Sequence, residues 1–229
     1  MTELKVSEIF TSLQGEGPSA GTPCLFVRLA LCNLRCAWCD TKYTWDFRAF
    51  RYEDEVRQEP AERVAERIRT APERRVVITG GEPLLQQAAL VQTLALVPPS
   101  IFVEIETNGT QMPADALLAR VDQWNVSPKL SNAGDPERLR LKHDVLAVLR
   151  DSGRAYLKLV IANERDLAEA DALTRELGWP KSHVLFMPEA NSRAELESRS
   201  PMVAAACKSR GVRFSSRLQL TLFDGRRGV

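Results

Sequence analysis

Three of the chain's five cysteines, Cys32, Cys36 and Cys39, fall within eight residues in the pattern C-x3-C-x2-C. Thiolates at this spacing on a loop can turn onto one small inorganic object. A structural zinc site takes four protein ligands, and catalytic zinc usually brings His or carboxylate. No histidine lies nearby, and Asp40, next to Cys39, is poorly placed to share a metal with it. An electron-carrying iron–sulfur centre also takes four cysteines, whereas a [4Fe–4S] cluster held by three leaves one iron open to a small molecule. Trp38, just before Cys39, can shield such a cluster from water and so affect its potential. The spacing alone leaves zinc, an accidental group and an open cluster as readings. Cys24, in an apolar run, and Cys207, in a helical stretch, read as packing residues.

Four other polar groups could contact ligands. Thr79-Gly80-Gly81-Glu82-Pro83 offers two glycines that let backbone approach a ligand, ahead of a helix N-terminus that favours an anion. Ser127-Pro128-Lys129 supplies a cation that could offset a carboxylate. In the glycine-punctuated stretch from Phe10 to Gly17, Gln14 offers donor and acceptor and Glu16 accepts from an N–H pair, which suits a flat heterocycle. Arg28, at the end of an apolar run, could meet a ligand carboxylate bidentately. Each also reads, taken singly, as an ordinary turn or a solvated surface group.

These residues need elements to hold them. Apolar runs predict strands over 22–29, 75–79, 101–106, 123–126, 155–161 and 183–187, with a last alternating strand over 217–223. Helical spacing predicts helices over 60–70, 84–97, 114–119, 143–151, 164–177 and 192–209. Repeated strand–helix units imply a parallel sheet with helices outside. About six units are too few for a closed eight-stranded barrel, so the sequence predicts an α/β fold, an open partial (βα)6 TIM-like barrel, as one domain over 1–229. In such folds ligands bind at the carboxyl ends of the strands. The cysteines, the Gly-Gly turn, Glu106-Thr107-Asn108-Gly109, Ser127-Pro128-Lys129 and Pro188-Glu189 all follow predicted strands and should share one mouth. The long irregular connection 31–55 belongs to the same mouth.

The whole chain narrows the classes. Its 229 residues are 44% hydrophobic, enough for a proper core. Lys+Arg is 31 against Asp+Glu 30, a net charge of +1, which lacks the clustered basic footprint of a nucleic-acid binder. The start MTELKVSEIF lacks the basic-then-apolar build of a signal peptide, and no run has the length of a membrane span. An odd number of cysteines in a chain of this kind points to a reducing, cytoplasmic setting and to metal or redox chemistry, not a disulfide framework.

The C-x3-C-x-aromatic-C pattern resembles the radical S-adenosylmethionine (SAM) superfamily. That resemblance implies a [4Fe–4S] cluster on Cys32, Cys36 and Cys39 whose open iron binds SAM, with electron transfer yielding a 5′-deoxyadenosyl radical. It also implies SAM-binding roles for Trp38, Gly81, Glu82, Glu106, Asn108, Ser127, Pro128 and Lys129. SLQGEG, the arginine of FVRL, CNLRCAWCDTKYTW, TGGEPLL, ETNGT and SPK together resemble the 7-carboxy-7-deazaguanine synthase family. Members rearrange 6-carboxy-5,6,7,8-tetrahydropterin, with loss of ammonia, on the route to queuosine and other 7-deazapurines. The resemblance implies substrate contacts from Leu13, Gln14, Gly15, Glu16, Arg28 and Thr79, and a Mg2+ ligand at Thr41 of the CDT segment. It further implies a flavodoxin or ferredoxin electron donor, a homodimer, and neither nucleic-acid nor membrane partners.

The match is loosest at the end of the chain. Many members carry His-Lys in the last strand, where this chain reads Leu218-Gln219-Leu220, so no role is carried to the tail Arg226-Arg227-Gly228-Val229. His143 and His183 read as structural. Two other readings share part of the pattern. A glycyl-radical enzyme activase shares the cysteine spacing but has no use for SLQGEG, and a small zinc or iron–sulfur protein would have no catalysis at all.

Overall fold

The computed structural model describes residues 2–229. In chain order its elements begin with β1 (Glu3–Leu13), β2 (Pro23–Leu29), α1 (Tyr52–Glu55), β3 (Arg57–Pro60), α2 (Ala61–Thr70), β4 (Arg75–Gly80) and α3 (Gln87–Ala95). Then come β5 (Phe102–Thr107), α4 (Asp115–Arg120), β6 (Gln123–Val126), α5 (Glu137–Arg140), α6 (His143–Asp151), β7 (Ala155–Ile161) and α7 (Glu164–Leu177). The chain closes with β8 (Val184–Pro188), α8 (Arg193–Arg210), β9 (Arg213–Phe214) and α9 (Leu218–Phe223). Among the described residues the strands form one open sheet in the order β3-β1-β2-β4-β5-β6-β7-β8-β9. Pairing is parallel from β2 through β9, and β1 is antiparallel to both β2 and β3. This is the open α/β partial barrel that the strand–helix alternation predicts.

The central strands are buried on both faces, which explains why they read as continuous apolar runs. Val27 pairs with Ile78, and Ile105 with Trp124, so the β-branched and aromatic side chains line up across the sheet. Helices pack on this core through one stripe each. On α2, Ala61, Val64, Ala65 and Ile68 are buried at i, i+3, i+4 and i+7, and burying residues like Val64 and Ile68 stabilises by about 1.5–3 kcal/mol each. α7 starts with a capping box between Asn163 and Asp166 and stops at Gly178, whose φ of 62° is left-handed.

Three sequence expectations change. Residues 217–223 are not a strand: Arg217 precedes the short helix α9, whose only buried residue is Leu220. One inward leucine satisfies a single helical turn, and Leu220 packs with Ala190 and Leu196, while Leu222 stays exposed. The alternation of Leu218, Leu220 and Leu222 is too short to separate the two periods. Next, β1 is a strand that the apolar runs do not predict, and it continues through Phe10 to Leu13, so the polar loop begins only at Gln14. Phe10 stacks on Phe26 of β2 with ring centroids 5.1 Å apart, a cross-strand pair that extends the ladder. Finally, 84–97 opens as a 3-10 turn, Pro83–Gln86, before α3; the Glu82 side chain accepts from the Leu84 N–H at 3.0 Å and caps it.

Candidate active site

A cavity of about 510 Å3 opens at the carboxyl ends of the parallel strands and draws on nearly every sequence-predicted cluster. Cys32, Cys36 and Cys39 line it, and none forms a disulfide. Their loop packs on Leu34 and Ala133, which gives the thiols an apolar bed. Burial pushes the Cys32 thiol up to about 12 and the Cys36 thiol up to about 11. A bound iron cation would reverse that preference, because a coordinating thiol is deprotonated by its metal. The Trp45 indole N–H donates to Cys39 Sγ at 3.3 Å, and the Leu34 N–H to Cys32 Sγ at 3.5 Å. Such N–H···S bonds orient thiolate ligands and tune a cluster's potential.

The Gly-Gly turn is fitted against this loop. A Cβ on Gly81 would collide with the Leu31 carbonyl and come within 3.0 Å of Cys32 Cβ. Gly80 has φ +135°, and a Cβ there would strike the Leu29 backbone. Both positions therefore need glycine so that two strand-end loops can touch. Glu82 does not line the cavity. It is fully buried and accepts from the Leu84 N–H, the Thr107 hydroxyl at 2.8 Å and the Asn108 N–H at 2.7 Å, tying the turn to the Glu106–Gly109 segment. Burial raises its pKa, against the pull of those donors. Asn108 lines the cavity and donates to Asn33 of the cysteine loop at 3.0 Å. Ser127 and Lys129 line it too, with Lys129 Nζ 3.0 Å from Ser127 Oγ and 5.5 Å from the Trp38 ring centroid; Pro128 does not.

After β1, Leu13, Gly15 and Glu16 line the cavity. Gln14 lines it but is nearly buried and already committed. Its amide donates to Glu104 at 2.6 Å and Glu106 at 3.2 Å, and its oxygen accepts from the Glu16 N–H at 3.2 Å. The side chain therefore braces the loop from beneath. Thr79 donates to Glu106 at 2.9 Å. Arg28 pairs with Glu8 at 2.9 Å, and Glu8 also accepts from Tyr43 at 3.0 Å and from Arg227 of the C-terminal tail. Thr41 places its hydroxyl 3.6 Å from Cys39 Sγ. His143 pairs with Glu176, and His183 lies on the Tyr156 ring; neither lines the cavity.

Sequence reasoning misses Lys158, Arg217, Gln219 and the Asp40 carboxylate, all of which line the cavity. Lys158 carries a signal, as one charge inside the apolar strand AYLKLVI. Arg217 carries none. Burial alone would raise the Glu16 carboxyl, but Lys158 and Arg217 beside it hold it well below the ordinary carboxylate range.

The donor set suits a cluster with one open iron: three thiols on an apolar bed at a cavity large enough for a cofactor. Among the described residues no three His, Cys, Asp or Glu side chains group closely enough to hold a single metal ion. A family model described as the radical SAM superfamily matches residues 28–189, and the chain belongs to that superfamily. More narrowly, it belongs to the 7-carboxy-7-deazaguanine synthases. It is 38% identical to the enzyme of that name from Pyrobaculum aerophilum, over 98% of this chain and 97% of the relative. It is 39% identical to the one from Hyperthermus butylicus, over 96% and 92% of the two chains. The crystal structure of QueE from Escherichia coli superposes with a TM-score of 0.73 at 27% identity, over 95% of each chain. Membership brings a [4Fe–4S] cluster and SAM as cofactors. Among the described residues no helix is long and apolar enough to cross a membrane.

Proposed function

We propose that this chain converts 6-carboxy-5,6,7,8-tetrahydropterin to 7-carboxy-7-deazaguanine and ammonia. The observation that carries this reading is the near full-length match to enzymes of that name, joined to a single cavity that holds both the cysteine loop and the Glu16 loop. Substrate and products balance in atoms and electrons, so no net oxidant is needed. What the cofactors supply when bound is reversible hydrogen-atom abstraction at C6 of the substrate.

The residues of the chain supply position. Cys32, Cys36 and Cys39 would hold the cluster, and the Gly81 backbone, Trp38, Ser127 and Lys129 would hold SAM. Glu82, Glu106 and Asn108 keep those loops together, an indirect share in SAM binding for Glu82, which does not line the cavity. Leu13, Gly15 and Glu16 would meet the pterin, with Gln14 and Thr79 braced behind them and Arg28 available to its carboxylate. The Thr41 hydroxyl is the proposed protein ligand for Mg2+, which keeps waters and takes substrate oxygens. Holding the reactants aligned and away from water is the protein's contribution to the rate. The electron donor fits a flavodoxin or ferredoxin, and the working form a cytoplasmic homodimer.

The test is anaerobic reconstitution followed by incubation with carboxytetrahydropterin, SAM and a reductant. The expected outcome is 7-carboxy-7-deazaguanine and ammonia in equal amounts with no net loss of SAM. Stoichiometric SAM consumption without pterin turnover would point to an activase and overturn the reading. Zinc in place of iron in the purified protein, with no SAM-dependent spectral change, would overturn it differently.

A further inference from the structure

We infer that Lys158, Arg217 and Gln219 form a donor cage that fixes the Glu16 carboxylate as the acceptor for the N–H edge of the substrate. The inference rests on the proposed function and adds positioning residues that the sequence motifs do not contain. Glu16 Oε1 accepts from Arg217 Nε at 3.0 Å and from Gln219 Nε2 at 2.8 Å. Glu16 Oε2 accepts from Lys158 Nζ. A carboxylate offers about four acceptor sites on its two oxygens, so Oε1 is filled and Oε2 retains one. All four side chains line the cavity.

The cage is itself immobilised. Arg217 donates its other N–H groups to the Ala190 carbonyl and to Asp40, so it is held by the loop after β8 and by the cysteine loop. Lys158 Nζ lies 4.0 Å from Glu106 Oε1 on β5. Gln219 packs so closely on Gly15 that a Cβ there would collide with its amide oxygen, and Leu218 donates its N–H to the Gly15 carbonyl at 2.9 Å. Gly15 is thus the residue that lets α9 close on the loop. The Gln219 amide oxygen is buried against Gly15 and has no hydrogen-bond partner among the described residues.

A purely structural role explains this set poorly. Buried ion pairs often contribute no more stability than apolar residues of the same volume, whereas losing one partner strands the other charge. Two buried cations and an anion that keeps a free acceptor site, gathered at a cavity wall, fit ligand recognition. A fixed anion with a free acceptor site selects N–H donors such as the amino and ring N–H of a pterin, and disfavours analogues without them.

The test uses the reconstituted full-length enzyme and three variants: Lys158→Met, Glu16→Gln and the double variant Glu16→Gln/Lys158→Met. Kinetics with carboxytetrahydropterin are paired with equilibrium binding of 6-carboxypterin, which needs no turnover. Lys158→Met should raise KM by about 10- to 100-fold with kcat within about threefold, the pattern of lost uniform binding. It should also bring in an acid limb. In the native enzyme Glu16 stays charged, so binding is flat from neutral pH down to about 5 as far as this group is concerned. Without Lys158, burial moves its pKa upward, and affinity falls as pH falls through the new value. Arg217 and Gln219 still face Glu16 in that variant, and Glu106 also loses its cation, so the double variant identifies the source. It should bind like Glu16→Gln alone and show no acid limb. If Lys158→Met binds like the native enzyme, or the double variant binds far worse than Glu16→Gln or keeps the limb, the cage is wrong. Because the double variant leaves no stranded anion at position 16, it decides the matter even if Lys158→Met does not fold. Failure of the native holoenzyme to turn over the pterin would instead overturn the proposed function.

Discussion

The cysteine loop and the Glu16 cage line the same cavity but are assembled in opposite ways. The three thiols come from eight consecutive residues, and a Gly-Gly turn, a few apolar neighbours and bonds such as Asn108 to Asn33 set the shape of their loop. The cage draws its donors from 142, 201 and 203 residues along the chain. A local metal-binding loop can be written as a motif. A long-range cage exists only when the sheet is complete and α9 has docked. The two meet at one bond, where Asp40, directly after Cys39, accepts from Arg217.

Substitutions on the two sides should therefore fail differently. The largest effect is expected from Cys36→Ala, which removes one of the three proposed cluster ligands. Iron after anaerobic reconstitution should fall from about four per chain toward none, with activity lost, while binding of 6-carboxypterin persists because the cage is untouched. If pterin binding were lost together with the iron, the two regions would not be separable. Gly81→Ala should come next. Its Cβ would meet Leu31 and Cys32, so the cost is about 3 kcal/mol, read from denaturant unfolding of the cluster-free chain, together with poorer cluster assembly.

Glu82→Gln probes the tie between the Gly-Gly turn and Asn108. The amide puts N–H groups where three donors converge, and leaving one unsatisfied should cost about 1–3 kcal/mol in unfolding free energy. Near-native stability would mean that the buried carboxyl is already protonated and shares its bonds otherwise. The smallest effect belongs to Arg227→Ala. Arg227 joins the tail to Glu8 and Glu55 and lies 3.7 Å from the Tyr43 ring centroid, yet it is 41% exposed. Its loss should change stability by under about 1 kcal/mol and leave iron content unchanged. A change in KM larger than about threefold would give the tail a part on the substrate side.

Much of the fold and of the site is legible in the order of residues alone. The strand ends predicted at 79, 106 and 126 fall within one residue of those at Gly80, Thr107 and Val126, because the runs there are followed by glycine or proline, and the rule that ligands sit at carboxyl ends brings their loops together. Four segments, 123–126, 143–151, 155–161 and 164–177, have the bounds that periodicity suggests, because each is framed by clear breakers or caps. The sequence could not say that Gln14 is turned into the protein, since its chemistry suits a ligand equally well; only the Glu104 and Glu106 carboxylates beneath it decide that. Nor could it tell the helix α9 from a strand, because three alternating leucines satisfy either period.

The order of residues settles the chemistry that neighbours along the chain can make: three thiols with no fourth, glycines where two backbones must touch, and a strand–helix rhythm that opens into a partial barrel. Which charges oppose each other depends on the fold. Glu16 is a bare carboxylate in a loop until β7 and the residue before α9 bring Lys158 and Arg217 to it, and burial then makes their pairing decisive, because Coulomb attraction strengthens as water is excluded. A motif records separation along the chain; an ion pair depends on separation in space, and between residues two hundred apart only the fold converts one into the other.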